Sequence, residues 1–599
     1  MRIYAALLLF ASLASALWPV PADYAHGNTT LWISRDVQVS YSGAVCRPMS
    51  PNNRYPFLHE QEFDSFQNST NSTLGGGHSS SCYSSIVKNA VQRTLDIICE
   101  EGFVPWKLHP RNSDFEPSTA GPKKQISSIV VRQTSPDPAC SPRPLANKVD
   151  ESYELDITAA GQVTLTAPSY RGLLHALNTL TQLFYQHSQR EAGVYTNLAP
   201  VTIKDKPKFA WRGLNMDVAR NWYPVADILR TIDALSWNKF NHLHIHMTDA
   251  QSWPLQIPAL PELADKGAYA KGLSYSPSDV KQIQEYGNDR GVEVVIEVDM
   301  PGHQSIVGVS HPELITAFNV QPNWDTYAAE PPSGQLKLNS PAVTSFLHTL
   351  FDDLLPRLSP YSAYFHTGGD EVNMNAYALD EGVNSNDSKV IQPFLQKFID
   401  QNHEQVRAKG LTPIVWEEML LQWNLTLGKD VIVQTWQSDE AVKDSVKQGY
   451  QTLVGNYNFW YLDCGKGQWL NFKEGDSFKN FYPFADYCSP TKNWRLIYSY
   501  DPIAGLTPDE AKLVLGGEVH MWSEQTDPVN FDDMVWPRAS AAGEVLWSGR
   551  QDASGQNRSQ IDASPRLAEM RERMVLRGIK CGPSQMVFCT QNDPTWCAL

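Results

Sequence analysis

Eight short, strongly apolar runs recur along residues 206–550, and most are separated by segments whose apolar residues have helical spacing. Short, nearly continuous apolar runs are typical of parallel strands buried on both faces. The runs are GLNMDVA (213–219), HLHIHMTD (242–249), VEVVIEVD (292–299), AYFHTGGD (363–370), TPIVWEE (412–418), VIVQTW (431–436), QTLVGNY (451–457) and LGGEVHMW (515–522). Because eight parallel strands close a TIM barrel, we predict an α/β fold with a (β/α)8 barrel over residues 206–550.

The segments between the runs agree with this prediction. VADILRTIDALSW and VIQPFLQKFIDQNHEQVRAKG have the apolar spacing of helices with one buried face, whereas the intervals after the fifth and seventh runs look irregular. An open, doubly wound sheet is the alternative. It would lack the even repetition, and the sequence contains no glycine-rich phosphate loop to support it.

Residues 17–205 have a different pattern, with short alternating runs such as SSIVVRQ and QVTLTAP beside the helical stretch RGLLHALNTLTQLF. This mixture predicts a smaller α+β domain before the barrel. The segment QNSTNSTLGGGHSSS (67–81) is typical of an exposed, glycosylated loop. Residues 551–599 predict a charged helix, SPRLAEMRERMVLRG, and a cysteine-bearing tail.

The first sixteen residues have the pattern of a secretory signal peptide. Arg2 precedes an apolar run that ends in the small residues Ala14-Ser15-Ala16, so we expect cleavage after Ala16. No other run is long enough to span a bilayer, which predicts a secreted, extracellular protein, with a vacuole-like compartment as the alternative. N-glycosylation sequons support export and lie at Asn28, Asn68, Asn71, Asn386, Asn424 and Asn557.

The nine cysteines of an exported chain predict a few disulfides and at least one free thiol. Sequence proximity favours a pair between Cys464 and Cys488 and a pair between Cys581 and Cys589, with Cys597 as the alternative partner of Cys581. The apolar surroundings of Cys99 indicate a buried free thiol. The pairing of the remaining cysteines, Cys46, Cys82 and Cys140, stays open.

The formal net charge of -16 changes the picture of possible partners. An acidic surface repels phosphate backbones and anionic lipids, so nucleic acid and membrane surfaces are excluded as partners. The 18 Trp and 24 Tyr point instead toward carbohydrate, because aromatic rings stack on the C–H faces of sugars.

Carboxylates and indoles follow the predicted barrel strands, at the end of the barrel where active sites lie. A sugar-binding pocket needs both, because hydroxyl groups need hydrogen-bond acceptors and sugar faces need apolar platforms. The side chains expected to converge there are Asp217, Asp249, Glu297, Asp299, His303, Asp370, Glu371, Trp416, Glu417, Trp436, those of the segment from Tyr457 to Asp463, Trp522 and Glu524.

The densest chemical feature is HTGGDEVN at 366–373. Gly368 and Gly369 allow backbone conformations that other residues avoid, so that Asp370 and Glu371 can face one ligand. Two carboxylates this close push one pKa upward, as a general acid requires. The alternative is that one of them only caps the following helix. The adjacent Glu417 and Glu418 lack such glycines, and we expect them to be solvated or structural.

The motif HTGGDEVN resembles the signature of the β-N-acetylhexosaminidases, glycoside hydrolase family 20. The resemblance extends over most of the chain, including the WPVP start that is similar to secreted fungal members, and the N-terminal region resembles the family's non-catalytic α+β domain. It rests on WRGLNMDVAR, HLHIHMTDAQSWP, EVDMPGH, VWEEM, WYLD, GGEVHMWSE and WPRASAAGEVLWS. It implies an exo-acting, retaining enzyme that removes terminal GlcNAc or GalNAc from glycans and chitooligosaccharides. It also implies a homodimer with a processed leading segment.

The resemblance further implies that Glu371 protonates the glycosidic oxygen and then activates water, while the substrate's own acetamide oxygen attacks the anomeric carbon. Asp370 would orient the acetamide nitrogen and stabilise the oxazolinium intermediate, and Tyr461 would bind the acetamide oxygen. Asp249 and His303 would form a relay behind Glu371, which Asp299 would steady. The sugar would be held by Trp416, Trp436, Trp522, Arg212, Asp463 and Glu524.

Two other functions fit single features. His242, His244 and His246 alternate along one predicted strand, as in a metal-dependent hydrolase of the amidohydrolase kind. Their shared face can also point outward into helices, and no further histidine cluster completes a ligand set, so we expect neither a metal nor an organic cofactor. The other alternative, a non-catalytic glycan-binding protein, is disfavoured because Asp370, Glu371 and Tyr461 are all present.

Overall fold

The computed structural model describes residues 17–41, 44–46, 82–135, 145–471 and 485–599. Two large hydrophobic cores organise them, one in an N-terminal α+β domain and one in the barrel domain that follows. Among the described residues, no helix is both long and apolar enough to cross a bilayer.

The N-terminal domain is a mixed sheet that packs against two helices. Its elements are β1 (Asp23–Ile33), β2 (Gln38–Tyr41), β3 (Ala44–Cys46), α1 (Cys82–Glu100), β4 (Ser128–Gln133), β5 (Tyr153–Ile157), β6 (Gln162–Ala167), α2 (Tyr170–Thr181), β7 (Tyr185–Gln186) and β8 (Val194–Asp205). The strand order is β1-β8-β5-β6-β4-β2-β3, and β7 also pairs with β8. Helix α2 packs on β5 and β6 and against α1. Its predicted apolar face is buried, and Ser169 caps its first turn by accepting from the N–H of Gly172.

The barrel domain is closed by eight parallel strands. They are β9 (Trp211–Asp217), β10 (His242–His246), β11 (Glu293–Glu297), β14 (Tyr364–His366), β15 (Thr412–Trp416), β16 (Ile432–Thr435), β17 (Gln451–Val454) and β18 (Val514–Met521). A small hairpin of β12 (Ile315–Thr316) and β13 (Gln335–Leu336) lies between β11 and β14. Strand β9 pairs with both β10 and β18, which closes the barrel and rules out the open sheet. All eight predicted strands are therefore confirmed.

Helices surround the barrel between these strands. They are α3 (Val225–Trp237), α4 (Glu262–Gly267), α5 (Pro277–Asn288), α6 (Pro341–Leu358), α7 (Met374–Tyr377), α8 (Ser388–Ala408), α9 (Glu418–Leu421), α10 (Asp439–Lys447), α11 (Tyr457–Trp460), α12 (Trp494–Ser499), α13 (Pro508–Ala511), α14 (Phe531–Val535) and α15 (Arg538–Ser548), followed by α16 (Gln560–Leu576) and α17 (Val587–Thr590). Where the structure describes the irregular intervals noted in the sequence, their helices are short: α9 after β15, and α11 to α13 after β17. Loops and short helices that follow barrel strands carry side chains that can line the barrel mouth.

Residues 17–21 connect both domains with the C-terminal helix. Trp18 is fully buried, and its indole Nε1 donates to the carbonyl oxygen of Ser540 in α15 at 3.1 Å. Its backbone N–H donates to Oε1 of Gln182, next to α2, at 2.8 Å. Arg566 in α16 donates to the carbonyl oxygen of Leu17 at 3.2 Å. This segment is therefore a wedge between three parts of the chain.

Of the two disulfides predicted from the sequence, one is present and the other has a different partner. The expected bond between Cys464 and Cys488 is present. Cys589, at the end of α17, is bonded to Cys597 rather than to Cys581, so that expectation is wrong. Cys581 is buried in the barrel core, and α17 carries Cys589 out to the tail. Cys581 and the half-buried Cys99 are free thiols.

The sequons Asn28, Asn386, Asn424 and Asn557 are exposed, as glycosylation requires. Asn68 and Asn71 lie outside the described residues, as does the expected signal peptide at 1–16. Glycosylation at these asparagines stays a prediction.

Candidate active site

The backbone after β14 turns Asp370 and Glu371 toward the same space at the carboxyl end of the barrel. Gly368 has φ +66°, and a Cβ there would lie 1.7 Å from Oδ1 of Asp299, so only glycine fits. The N–H of Gly369 donates to that Asp299 oxygen at 2.7 Å. Glu371 itself has φ +52°, a conformation that is unusual outside glycine and asparagine and marks a functional constraint.

His303 lies at the centre of the carboxylates. Its Nε2 is 3.4 Å from Oε2 of Glu371, 3.7 Å from Oδ2 of Asp370 and 3.9 Å from Oδ2 of Asp299. Its Nδ1 contacts Oδ1 of Asp249 at 3.1 Å. Burial disfavours the imidazolium, but the negative charges of Asp249 and Asp370 outweigh it and hold the pKa of His303 well above its usual range. The imidazole is therefore cationic and links Asp249 to Glu371.

Two buried aspartates beside His303 have opposite protonation. Burial raises the pKa of Asp299, and the adjacent Asp370 raises it further, well above the usual range, so Asp299 keeps its proton. Burial opposes the charged form of Asp249 as well, but Arg220 and His303 hold its pKa well below the usual range. Asp249 is thus an anion that orients His303.

An aromatic pocket lies beside the carboxylates. Trp416, Tyr461 and Trp522 are buried together with the Cys464–Cys488 disulfide, and Trp436 packs against them. The Tyr461 ring is stacked with Trp436 at 6.1 Å and is 6.4 Å from Trp522 between ring centroids. Trp416 lies 6.2 Å from Trp522. The four rings that we expected to bind the sugar thus form one apolar wall.

Carboxyl groups hold the indoles of this wall in place. Trp416 Nε1 donates to Oε1 of Glu297 at 2.8 Å, and Trp436 Nε1 donates to Oε1 of Glu418 at 3.0 Å. Glu417 accepts from the backbone N–H of Trp436 at 3.0 Å. Glu417 and Glu418 therefore have a structural role, which is to fix the position of Trp436.

Asp463 and Glu524 lie half-buried near the pocket. Burial raises the pKa of Asp463 to about 7. Burial, followed by the negative charge of Glu330, raises the pKa of Glu524 well above its usual range. Carboxyl groups with raised pKa values can both donate and accept hydrogen bonds, which suits binding of sugar hydroxyls.

Arg212 does not reach this site, so its expected contact with the sugar is wrong. It stands second in β9, at the amino end of the barrel, and is fully buried. Its guanidinium pairs with Glu151 of the N-terminal domain at 2.7 Å and donates to the carbonyl oxygens of Phe209 and Lys239. Arg212 therefore joins the two domains.

Arg220, which our sequence analysis missed, is the arginine at the mouth. It follows the carboxyl end of β9 and is 3.0 Å from Asp249, 3.4 Å from Asp217 and 3.3 Å from Glu330. Its guanidinium lies 5.1 Å from the centre of the Trp522 ring. Its position after a barrel strand was the available signal, because the same rule had identified Asp217.

The alternating histidines of β10 face the barrel axis and not the helices. His244 Nε2 and His246 Nδ1 contact the same oxygen of Glu297 at 3.0 and 2.5 Å. One group of donors, His244, Glu297 and His366, has ligand atoms within 4.8 Å of one another, as do Asp299, His303 and Asp370. In the first group the imidazole nitrogens lie 3.0 and 3.1 Å from oxygens of Glu297, the distances of hydrogen-bonded pairs, whereas His303 Nε2 is 3.7 Å from Asp370 and 3.9 Å from Asp299.

Comparison with known proteins identifies relatives along nearly the whole chain. Residues 209–550 match the family "Glycosyl hydrolase family 20, catalytic domain", and residues 17–183 match "beta-acetyl hexosaminidase like". A β-hexosaminidase of Arthroderma benhamiae is 42% identical over 96% of both chains. A chitooligosaccharidolytic β-N-acetylglucosaminidase of Ostrinia furnacalis is 31% identical over 80% of both. The fold is that of Streptomyces plicatus N-acetyl-β-hexosaminidase in complex with Thio-NAglucal, at TM-score 0.66 and 22% identity, covering 95% of this chain and 96% of that one.

Proposed function

The chain belongs to glycosyl hydrolase family 20 and is a glycoside hydrolase with β-N-acetylhexosaminidase activity, and from this premise we propose that it works by substrate-assisted catalysis. It would release terminal, β-linked GlcNAc or GalNAc with retention of configuration. Chitooligosaccharides are one proposed substrate, supported by the name of the Ostrinia furnacalis relative.

One observation carries this proposal: Asp370 and Glu371 both face His303 beside an aromatic wall. In the first step the acetamide oxygen attacks the anomeric carbon, the bond to the leaving oxygen breaks, and Glu371 gives that oxygen its proton. In the second step Glu371 takes a proton from water, which attacks the anomeric carbon and opens the oxazolinium ring. Asp370 stabilises the positive charge of the ring nitrogen. Two inversions give net retention.

The aromatic wall suits the acetamide group. Tyr461 is positioned to donate its hydroxyl to the acetamide oxygen, because burial raises its pKa well above the usual range and keeps the proton on. Trp416, Trp436 and Trp522 offer the apolar surface that a methyl group and a sugar face require. Asp463, Glu524 and Arg220 remain for the hydroxyl groups.

Replacement of Arg220 by lysine tests its assignment to the sugar. Lysine keeps the charge beside Asp249 but lacks the planar fork that binds two oxygens at once. We expect kcat/KM to fall about 10- to 100-fold, the range for a lost charged hydrogen bond. Arg212→Lys is the matched control, for which thermal melting should show a lower Tm while kcat/KM of the folded protein stays within about 2-fold. The reverse pattern would return the sugar contact to Arg212.

The substrate class is tested by p-nitrophenol release from the β-N-acetylglucosaminide, the β-N-acetylgalactosaminide and the plain β-glucoside. We expect turnover of the first two and almost none of the third, because the glucoside lacks the nucleophile. Rapid hydrolysis of the β-glucoside would exclude substrate assistance. Exhaustive chelation is the control, since its failure to abolish activity would exclude the metal-dependent alternative.

Export and assembly are also proposed. The exposed positions of Asn28, Asn386, Asn424 and Asn557 support glycosylation and hence secretion, with a vacuole-like compartment as the alternative. A homodimer stays the expected assembly, as the family resemblance implies.

A further inference from the structure

A line of hydrogen-bonded acids and imidazoles runs through the barrel interior and ends at His303. His244 Nδ1 contacts Oε2 of Glu518 and its Nε2 contacts Oε2 of Glu297, both at 3.0 Å. His246 Nδ1 contacts the same oxygen of Glu297 at 2.5 Å, and its Nε2 contacts Oδ2 of Asp249 at 2.6 Å. We name this line the barrel relay, which consists of Glu518, His244, Glu297, His246, Asp249 and His303.

The charges of the barrel relay alternate. Burial opposes every charge, but neighbouring ions prevail: they raise the pKa of His244 to about 9 and that of His246 well above its usual range. The same pairings lower the pKa of Glu518 to about 2 and that of Glu297 well below its usual range. Each imidazolium therefore lies between carboxylates, and each carboxylate of the relay contacts at least one imidazolium.

Other charged groups face His246 from the surrounding elements. Arg220 lies 3.0 Å from Oδ2 of Asp249, the oxygen that His246 also contacts. Asp217 of β9 lies beside His246 in the strand register. His366 of β14 contacts Glu297 at 3.1 Å, but burial lowers its pKa and it is neutral. Trp522 meets the imidazole edge-on at 5.0 Å and carries no charge.

We propose that the relay behind Glu371 does not end at Asp249 but continues through His246 and Glu297 to His244 and Glu518. In this relay His246 is a positioning residue that acts on Glu371 through Asp249 and His303. The proposal rests on the proposed role of Glu371 as the acid/base. It requires no proton to leave the barrel, only that a fixed charge deep in the barrel shifts the protonation of Glu371.

The sign of the effect follows from Coulomb's law. Removal of the His246 cation leaves less positive potential at Glu371, so its proton is held to higher pH. Removal of the Glu518 anion has the opposite sign and a smaller size, because Glu518 lies at the far end of the relay. A structural disturbance without electrostatic coupling has no reason to reverse its sign between the two variants.

The experiment is the pH dependence of kcat/KM for p-nitrophenyl β-N-acetylglucosaminide. We expect His246→Gln to move the basic limb upward by about one pH unit. Glu518→Gln should move it downward by a smaller amount. His242→Gln is the matched control and should leave the limb in place, because His242 is buried on the same strand, stacks on Trp211 at 3.6 Å and is neutral, burial lowering its pKa.

Glu371→Gln separates failure of the relay from failure of the proposed function. If the basic limb survives in Glu371→Gln, the limb does not belong to Glu371 and the proposed function fails. The second outcome is that Glu371→Gln loses the basic limb, while wild type, His246→Gln and Glu518→Gln have it at the same pH. In that case only the relay is overturned. Shifts of the same sign in both relay variants overturn it as well.

The unmutated enzyme provides a second readout if the relay variants do not fold. Imidazolium N–H protons held between carboxylates exchange slowly and resonate far downfield in proton NMR spectra. We expect such signals to persist between pH 5 and about 8, because the pKa of His244 is about 9. Their absence throughout that range would mean that the relay imidazoles are neutral, which overturns the proposal.

Discussion

Replacement of Glu371 by glutamine is expected to lower kcat by about 10²- to 10⁴-fold, the usual contribution of general acid/base assistance. Glutamine has the size of glutamate and can keep the contact with His303, but it has no proton to give to the leaving oxygen. The loss should be largest for substrates whose leaving group is a sugar alcohol. It should be smaller for activated aryl glycosides, which need little protonation.

Steady-state kinetics on chitobiose and on a series of aryl glycosides measure this dependence. Glu417→Gln is the matched control, because Glu417 is also a buried acid near the pocket but accepts hydrogen bonds from the backbone of Trp436 and Gln437. Its losses should be equal across leaving groups. Equal losses in a folded Glu371→Gln variant would remove Glu371 from the acid role.

Replacement of Asp370 by asparagine is expected to weaken binding of a thiazoline mimic of the oxazolinium ring by roughly 10²-fold, because a buried charge pair loses one partner. The unaltered enzyme should bind this mimic far more tightly than substrate, since it resembles the species that Asp370 stabilises. Competitive inhibition of p-nitrophenyl β-N-acetylglucosaminide hydrolysis measures both affinities.

A 2-fluoro sugar is the control reagent for this prediction. Such reagents label an enzyme carboxylate only where that carboxylate is the nucleophile. Stoichiometric labelling of Asp370, together with weak binding of the thiazoline, would contradict substrate assistance and leave the glycosidase assignment in place.

Hydrophobic pattern predicted the barrel well because parallel strands buried on both faces have apolar runs that few other structures share. The HTGG turn was equally readable, since the tight contact of Gly368 with Asp299 demands glycine. Arg212 was misplaced because the motif WRGLNMDVAR contains two arginines, and the family resemblance was carried over to the one at the amino end of the strand. The two arginines differ in their position along the strand, because Arg212 stands near the amino end of β9 and Arg220 follows its carboxyl end.

The cysteine pairs and the histidine face show where local sequence is insufficient. Cys581 and Cys589 are close in the chain, but burial of one in the barrel core separates them in space. The inward face of His244 and His246 depends on carboxylates contributed by β11 and β18, far along the chain. Alternation along a strand shows that these histidines share one face, but it does not show whether that face points to the barrel axis or to the helices.

The wedge at residues 17–21 sets the order in which the chain can finish folding. The hydrogen bond from the Trp18 indole to the carbonyl oxygen of Ser540 joins residues 522 positions apart. At 5–20 residues synthesised per second, Ser540 is made roughly half a minute to two minutes after Trp18. The C-terminal helix that completes the enclosure emerges later still. Residues 17–21 are thus among the last parts of the barrel enclosure to reach their native environment, because their partners in α15 and α16 are synthesised near the end of the chain.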